Sequence, residues 1–219
     1  MAEGMALLRL LTWLSPAFPT GGFAYSHGLE WSVECGDVTN EANLTDWLGD
    51  ILQRGALWSD AILLRHAYRA KPEQLKGLAE LAAALAPGRE RRLETLAQGA
   101  AFRQAAKPWP CDAFADFSDE LMAYPIAVGA LAAAHRVDED AATIAFLHAS
   151  IANMVSASVR LIPLGQDAGL RVQAALESKI LQVSQATVTM TLSDLGGACW
   201  RTEIATMRHE TQYTRLFRT

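Results

Sequence analysis

The sequence has no long run of β-branched residues that alternate with polar ones, which argues against an all-β fold. Its only cysteines, Cys35, Cys111 and Cys199, lack C-x-x-C spacing, so we expect neither a disulfide framework nor a zinc site. A formal net charge of −5 argues against a general nucleic-acid-binding protein. Few and scattered cysteines favour a location in the reducing cytoplasm.

Sequence signatures of common catalytic sites are missing as well. There is no G-x-x-x-x-G-K-[ST] phosphate loop, no H-E-x-x-H metal-binding helix and no G-x-S-x-G nucleophile turn. The five histidines are scattered, and none has another His or a Cys three or four residues away. We expect the pair His209 and Glu210 to be solvated, because adjacent helical residues point in different directions. The sequence therefore predicts no catalytic site, no bound metal and no cofactor.

Alanine and leucine, with 39 and 29 residues, are abundant, and both favour helices. Proline and glycine separate segments in which apolar residues recur at helical spacing. The predicted helices cover approximately residues 7–13, 25–35, 43–54, 56–69, 72–85, 89–106, 125–135, 138–161, 166–185 and 194–207. We predict one all-α domain over residues 1–219, with nine or ten helices packed around the longest one, and a short buried helix at 7–13.

The longest predicted helix is the only candidate for a membrane span. Residues 141–159 contain no Asp, Glu, Lys or Arg. They do contain six polar side chains, which is too many for a segment exposed to lipid. We therefore predict a buried core helix and no association with a membrane.

Three segments have a composition that core packing does not explain, and the first is residues 15–30. It begins with two prolines and two glycines within eight positions and continues with Phe23, Tyr25 and His27 at the start of a predicted helix. Two interpretations are open. The helix N-terminus attracts an anion, or the segment is a structural loop that packs Phe18 and Phe23 into the core.

The second segment, residues 160–166, interrupts the longest predicted helix. Pro163 forces the interruption and leaves Arg160 and Gln166 on either side of it. Backbone groups at such a break need side chains, water or a partner to satisfy their hydrogen bonds. Arg160 is therefore either a binding residue or a structural one that satisfies carbonyl groups.

The third segment, residues 207–219, combines three arginines and one glutamate with large apolar side chains. Arginine and aromatic residues are enriched at protein–protein interfaces. A segment this short does not bury its apolar groups by itself, so it is either an interaction element or a frayed tail. Its arginines are Arg208, Arg215 and Arg218, and its large apolar side chains include Tyr213, Leu216 and Phe217.

Together, these segments resemble the UreF family of urease accessory proteins. Residues 15–30 match S-x-x-F-P-x-G-G-F-x-x-S-x-G-L-E, residues 160–166 match R-x-x-P-L-G-Q, and residues 209–218 match H-E-x-Q-Y-x-R-L-F-R. The three motifs occur in the family's order along the whole chain, which makes the combination specific.

The resemblance implies an all-helical, non-enzymatic protein that forms homodimers in the cytoplasm. It implies binding to UreD, also called UreH, and to the GTPase UreG, in an assembly that delivers nickel to apo-urease. The chain is then expected to control when UreG hydrolyses GTP. The residues expected to bind partners are Phe23, Tyr25, Glu30, Arg160, Gln166, Arg208, Tyr213, Arg215, Leu216 and Phe217.

More specific expectations follow for the three segments. Residues 208–219 bind UreD. Arg160, Gln166 and Arg215 lie near each other at the dimer centre, where UreG docks. Phe23 and Tyr25 extend the same surface, and the Glu30 carboxylate holds an arginine in place.

Two other classes of function remain open at this stage. One is a helical enzyme with a pocket around Tyr25, His27 and Glu30. The other is a metal carrier that uses His27, Cys35 and His209, although the sequence contains no cluster of nitrogen or sulfur ligands. Experiments with the purified protein distinguish the three classes. A scaffold should capture a GTPase and urease, an enzyme should convert a small molecule without a partner protein, and a carrier should bind nickel tightly without one.

Overall fold

Helices account for every regular element in the computed structural model, which describes residues 2–115, 117 and 122–218. This confirms the predicted all-α domain. Within the described residues the α-helices are α1 Ala2–Trp13, α2 Leu29–Glu34, α3 Glu41–Arg54, α4 Ala56–Arg69, α5 Pro72–Ala84, α6 Arg89–Ala105, α7 Tyr124–Ala134, α8 Glu139–Leu161, α9 Gly165–Thr187 and α10 Trp200–His209. Short 3-10 helices cover Gly22–Ala24, Asp112–Phe114 and Leu192–Asp194.

Local sequence explains most helix boundaries. The Asn40 side chain accepts hydrogen bonds from the backbone of Ala42 and Asn43 and so caps α3. The Asp138 side chain caps α8 in the same way, and α8 ends just before Pro163, as predicted. Helices with such signals begin and end within about two residues of the predicted positions.

Three helix predictions were wrong, because local signals compete with turns and tertiary contacts. Positive φ angles at His27 and Gly28 delay the start of α2 until Leu29. Asp194 bonds back to Thr191 and closes a 3-10 turn, so α10 starts six residues later than expected.

The third error concerns α1, which is not buried. Leu10 and Trp13 face the core, but Leu7, Leu8 and Leu11 are exposed on the other side of the helix. An unbroken apolar run shows that a helix has an apolar surface, but it does not show how much of that surface the fold covers.

Helices α4 and α8 occupy the centre of the fold. Helix α8 packs against α2, α3, α4, α7 and α9, and α4 packs against α3, α5, α7, α8 and α9. The fully buried Arg65 of α4 joins these layers: its guanidinium donates to Glu139 Oε1 on α8 at 2.8 Å and to the Ser184 carbonyl on α9 at 2.9 Å. The long helix is therefore central, as predicted.

Among the described residues, α8 is the one helix long and apolar enough to cross a membrane. Half of its most apolar window is buried inside the fold. The hydroxyl groups of Thr143, Ser150 and Ser158 each donate to the helix carbonyl four residues earlier. The burial and the internal hydrogen bonds fit a core helix. The length and apolar composition of α8 are by themselves weak evidence for a membrane span.

A candidate partner-binding surface at the C-terminal segment

The residues that follow α10, which we call the C-terminal segment (residues 210–218), fold back onto the helical domain. The Phe217 side chain is buried. The backbone N–H of Arg218 donates to the Ala24 carbonyl at 2.8 Å, which ties the segment to the N-terminal loop. The segment is therefore an ordered part of the fold and not a frayed tail.

Glu30 is the main anchor of the C-terminal segment. It lies in the first turn of α2 and is buried. Its Oε1 accepts the backbone N–H of Leu216 at 2.6 Å, and its Oε2 accepts that of Phe217 at 2.9 Å. The expectation that Glu30 holds an arginine was wrong, because its carboxylate points under the segment, where backbone N–H groups lie within reach.

His209 completes this anchor from the last turn of α10. Its Nε2 lies 3.1 Å from Glu30 Oε2, and its Nδ1 lies 2.7 Å from Glu90 Oε2 on α6. The remaining oxygen of Glu90 accepts a hydrogen bond from Arg215 at 2.9 Å.

The expectation that His209 and Glu210 form a solvated pair was wrong. The His209 side chain is fully buried between two carboxylates. Glu210 Oε1 instead accepts the backbone N–H of Arg89 at 2.8 Å and that of Glu90 at 3.4 Å, so it caps the first turn of α6. Each residue of the pair fixes a different contact between the C-terminal part of the chain and α6.

Arg160 connects the N-terminal loop with the C-terminal segment. Its Nη2 donates to the Phe23 carbonyl at 2.9 Å, and its guanidinium carbon lies 4.4 Å from the centre of the Phe217 ring. Its Nε also donates to the Ser156 carbonyl at 3.2 Å, so it satisfies a helix carbonyl as well. Arg160 therefore has the structural role considered for it, and its role in partner binding stays a prediction. Nearby, Asn153 of α8 donates to the Gly22 carbonyl at 2.7 Å.

The predicted partner-binding residues differ in exposure. Phe23 is 69% exposed, which excludes its placement in the core, whereas Phe18 packs against Phe102 there. Tyr213 is fully exposed and Leu216 is 66% exposed. Apolar side chains that remain in solvent on an ordered segment are available for a partner.

Tyr25 is buried beneath the N-terminal loop. Burial raises the pKa of its hydroxyl, and the nearby Glu94 carboxylate raises it further. Tyr25 forms a side-chain hydrogen bond with Arg218. Tyr25 therefore packs beneath the exposed residues, and its side chain is not part of the solvent-exposed surface.

The structure brings some of the predicted residues together and leaves others apart. Arg160 contacts both the Phe23 carbonyl and the Phe217 ring. Arg160 and Arg215 have different partners, since Arg215 pairs with Glu90. Gln166 is exposed in the first turn of α9, and Arg208 is exposed at the end of α10. Neither side chain makes a hydrogen bond or ion pair within the described part of the chain.

The enzyme alternative requires a pocket shared by Tyr25, His27 and Glu30. Of these three residues, only His27 lines the cavity of about 230 Å³ that also contains Asp60 and Arg91. The Asp60 carboxylate accepts a hydrogen bond from Arg91 at 2.6 Å. Burial raises the pKa of Asp60, and the Arg91 charge opposes that shift. Among the described residues, these three therefore form no common site.

The metal-carrier alternative requires His27, Cys35 and His209 to form a common site. Within the described residues, no group of three His, Cys, Asp or Glu side chains is arranged to hold a metal ion. Cys35 is exposed at the end of α2, whereas the His209 nitrogens face two carboxylates. His27 is engaged with Glu94 at 3.0 Å.

Sequence reasoning missed Glu34, Glu90 and Asn153 as anchors of this surface. Glu34 accepts a hydrogen bond from the Gln212 side chain, and the other two bind His209 and the Gly22 carbonyl. All three lie on helices at positions where a polar residue is normally solvated. No local pattern marks them, because their partners are more than a hundred residues away in the chain.

Comparisons with known proteins extend over nearly the whole chain. The UreF family model matches residues 38–177. The urease accessory protein UreF of Rhodopseudomonas palustris strain HaA2 is 49% identical over 224 residues, covering 99% of this chain and 94% of the relative. That of strain TIE-1 is 51% identical, covering 99% and 93%. That of Methylobacterium radiotolerans is 47% identical, covering 99% and 98%. The chain therefore belongs to the UreF family of urease accessory proteins, a chaperone-type family and not a family of enzymes.

Proposed function

We propose that this protein is a scaffold in urease maturation. It binds UreD (UreH) and the GTPase UreG, regulates GTP hydrolysis by UreG, and allows the assembly to deliver nickel to apo-urease. The observation that carries this proposal is the C-terminal segment, which Glu30 and His209 fix in one conformation while Tyr213 and Leu216 stay in solvent.

A fixed segment is a better binding element than a flexible one. The free energy needed to order a flexible segment is subtracted from the binding free energy, whereas a pre-ordered segment avoids that cost. The hydrogen bonds of Glu30 and the contact of Arg160 with Phe217 order this segment within the monomer. Phe23, exposed in the adjoining loop, extends the same surface.

Nickel is the cargo of the proposed assembly and not a resident cofactor of this chain. Glu30, Glu90 and His209 are possible metal donors beside the C-terminal segment, but they bond to each other and to the backbone. A metal ion competes poorly for groups that are already satisfied. We therefore expect weak nickel binding by the isolated chain.

We also propose that the protein is a cytoplasmic homodimer and that UreG docks near Arg160, Gln166 and Arg215 at its centre. Exposed apolar side chains at Trp200 and Ile204, which share one face of α10, support association with another protein surface. The three cysteines are free thiols, which suits a reducing compartment.

A single substitution tests the surface. Phe23→Ala removes a side chain that is 69% exposed, so the free energy of unfolding should change by no more than about 0.5 kcal/mol. Capture of co-expressed UreG and UreD by the tagged variant should fall severalfold. Leu181→Ala, at an exposed leucine on α9, is the matched control and should capture both proteins normally. Equal capture by the two variants contradicts the proposal.

A further inference from the structure

A groove of about 850 Å³ separates the N-terminal turns of α6 from the C-terminal segment. Its lining includes Arg89 and Leu93 on α6 and Arg215, Leu216 and Arg218 on the segment. Arg89 and Leu93 lie outside the three segments of unusual composition. The groove joins them to residues that the proposed function already uses.

The charge that the groove presents to solvent is positive, although the chain as a whole carries a net charge of −5. Two acidic residues also line the groove, but their carboxylates are already engaged. Glu90 bonds His209 and Arg215, and Glu210 accepts backbone N–H groups of α6. Arg89 is exposed and forms no ion pair within the described residues, so its charge is available to a ligand.

Two exposed leucines accompany these charges. Leu93 is 58% exposed on α6, and Leu216 is 66% exposed on the C-terminal segment. The hydrogen bond from the Leu216 backbone N–H to the Glu30 carboxylate fixes the position of Leu216. A small anion such as phosphate does not need apolar contacts, and the first N–H groups of α6, where it would bind, are taken by Glu210.

We propose that this groove binds an acidic segment of a partner protein. A large apolar side chain of that segment contacts Leu93 and Leu216, and a carboxylate of the segment faces Arg89. An exposed guanidinium group beside exposed apolar side chains is typical of protein interfaces. The inference rests on the proposed function, because it requires a protein partner, and it adds the chemistry of the contact and the role of α6.

Charge reversal on α6 tests the proposed electrostatic contact between Arg89 and the acidic segment. Arg89→Glu should weaken capture of the co-expressed urease accessory proteins by about tenfold, and the loss should shrink as salt is raised. Arg92→Glu makes the same change of charge at an exposed position on the same helix, outside the groove. It should leave capture unchanged. Thermal unfolding of both variants checks that the fold is intact.

The possible results separate the groove from the proposed function. If the unmodified chain captures no accessory protein, both proposals are overturned. If it captures them and Arg89→Glu does so equally well, the groove proposal alone is wrong. If Arg92→Glu is as defective as Arg89→Glu, the effect comes from overall charge, and the groove proposal is again wrong.

A photo-crosslinker identifies the chemistry of the bound segment. Benzoylphenylalanine in place of the exposed Leu93 should crosslink, in the assembled complex, to a partner peptide with Asp or Glu beside a large apolar residue. The same probe in place of Arg92 should give little crosslinking. A neutral or basic peptide, or crosslinking to a nucleic acid, overturns the proposal.

Discussion

Removal of the Glu30 carboxylate is the most direct test of how the C-terminal segment is held. Glu30 accepts hydrogen bonds from the backbone of Leu216 and Phe217 and lies 3.1 Å from the His209 ring. In Glu30→Ala, the backbone N–H groups of Leu216 and Phe217 both lose their acceptor. An unsatisfied buried donor costs about 1–3 kcal/mol, so two of them lower the free energy of opening the segment by about 3 kcal/mol.

Amide hydrogen exchange at Leu216 and Phe217 measures that free energy. A loss of about 3 kcal/mol corresponds to exchange roughly 100-fold faster at these two amides, because each 1.4 kcal/mol changes an equilibrium constant tenfold. Glu30→Gln keeps one carbonyl oxygen as an acceptor and should give a smaller increase. Amides in the middle of α8 should exchange at nearly the unmodified rate, because opening of the segment is local.

Glu80→Ala, which removes an exposed carboxylate on α5, is the control for loss of a negative charge. It should leave exchange at Leu216 and Phe217 unchanged. If Glu30→Ala also leaves both amides as protected as in the unmodified protein, then Glu30 does not hold the segment and the reasoning above is wrong.

Two further substitutions probe the neighbouring contacts. Arg160→Ala removes the hydrogen bond to the Phe23 carbonyl and the contact with Phe217. We therefore expect the free energy of unfolding, measured with denaturant, to fall by about 1 kcal/mol and UreG capture to be reduced. Unchanged capture would assign Arg160 a structural role alone. Gly28 has a φ of 75°, and a Cβ there would lie 2.6 Å from the Thr206 backbone nitrogen. Gly28→Ala should therefore lower the free energy of unfolding by at least about 1–2 kcal/mol, and an unchanged denaturation midpoint would refute this.

Removing residues 208–219 is a poor test of partner binding. The deletion also removes His209, whose ring joins α2 to α6, and Phe217, which is buried against the domain. Reduced binding would then reflect damage to the fold as well as loss of contacts. Thr219 lies outside the described residues. Substitution at exposed Tyr213 or Leu216 avoids this ambiguity.

The sequence was sufficient to predict the fold class and the places where unusual segments occur. Helical spacing and caps such as Asn40 determine structure over a few residues, so they can be recognised directly. The contacts of Glu30 and His209 cannot, because each depends on groups from distant helices that meet after folding. From the sequence alone, the Glu30 carboxylate beside the glycine-rich loop is expected to be solvated. Its burial becomes evident only when the position of the C-terminal segment is known.

The span of chain between Glu30 and its partner Leu216, 186 residues, has a consequence for synthesis. A ribosome makes the acceptor long before the donor, and the helices between them can fold in the meantime. The surface formed by the C-terminal segment therefore appears last, after residue 216 has left the ribosome. A nascent or prematurely terminated chain that lacks this region cannot form the surface that we propose for partner binding, so under that proposal only chains translated through residue 216 recruit partners.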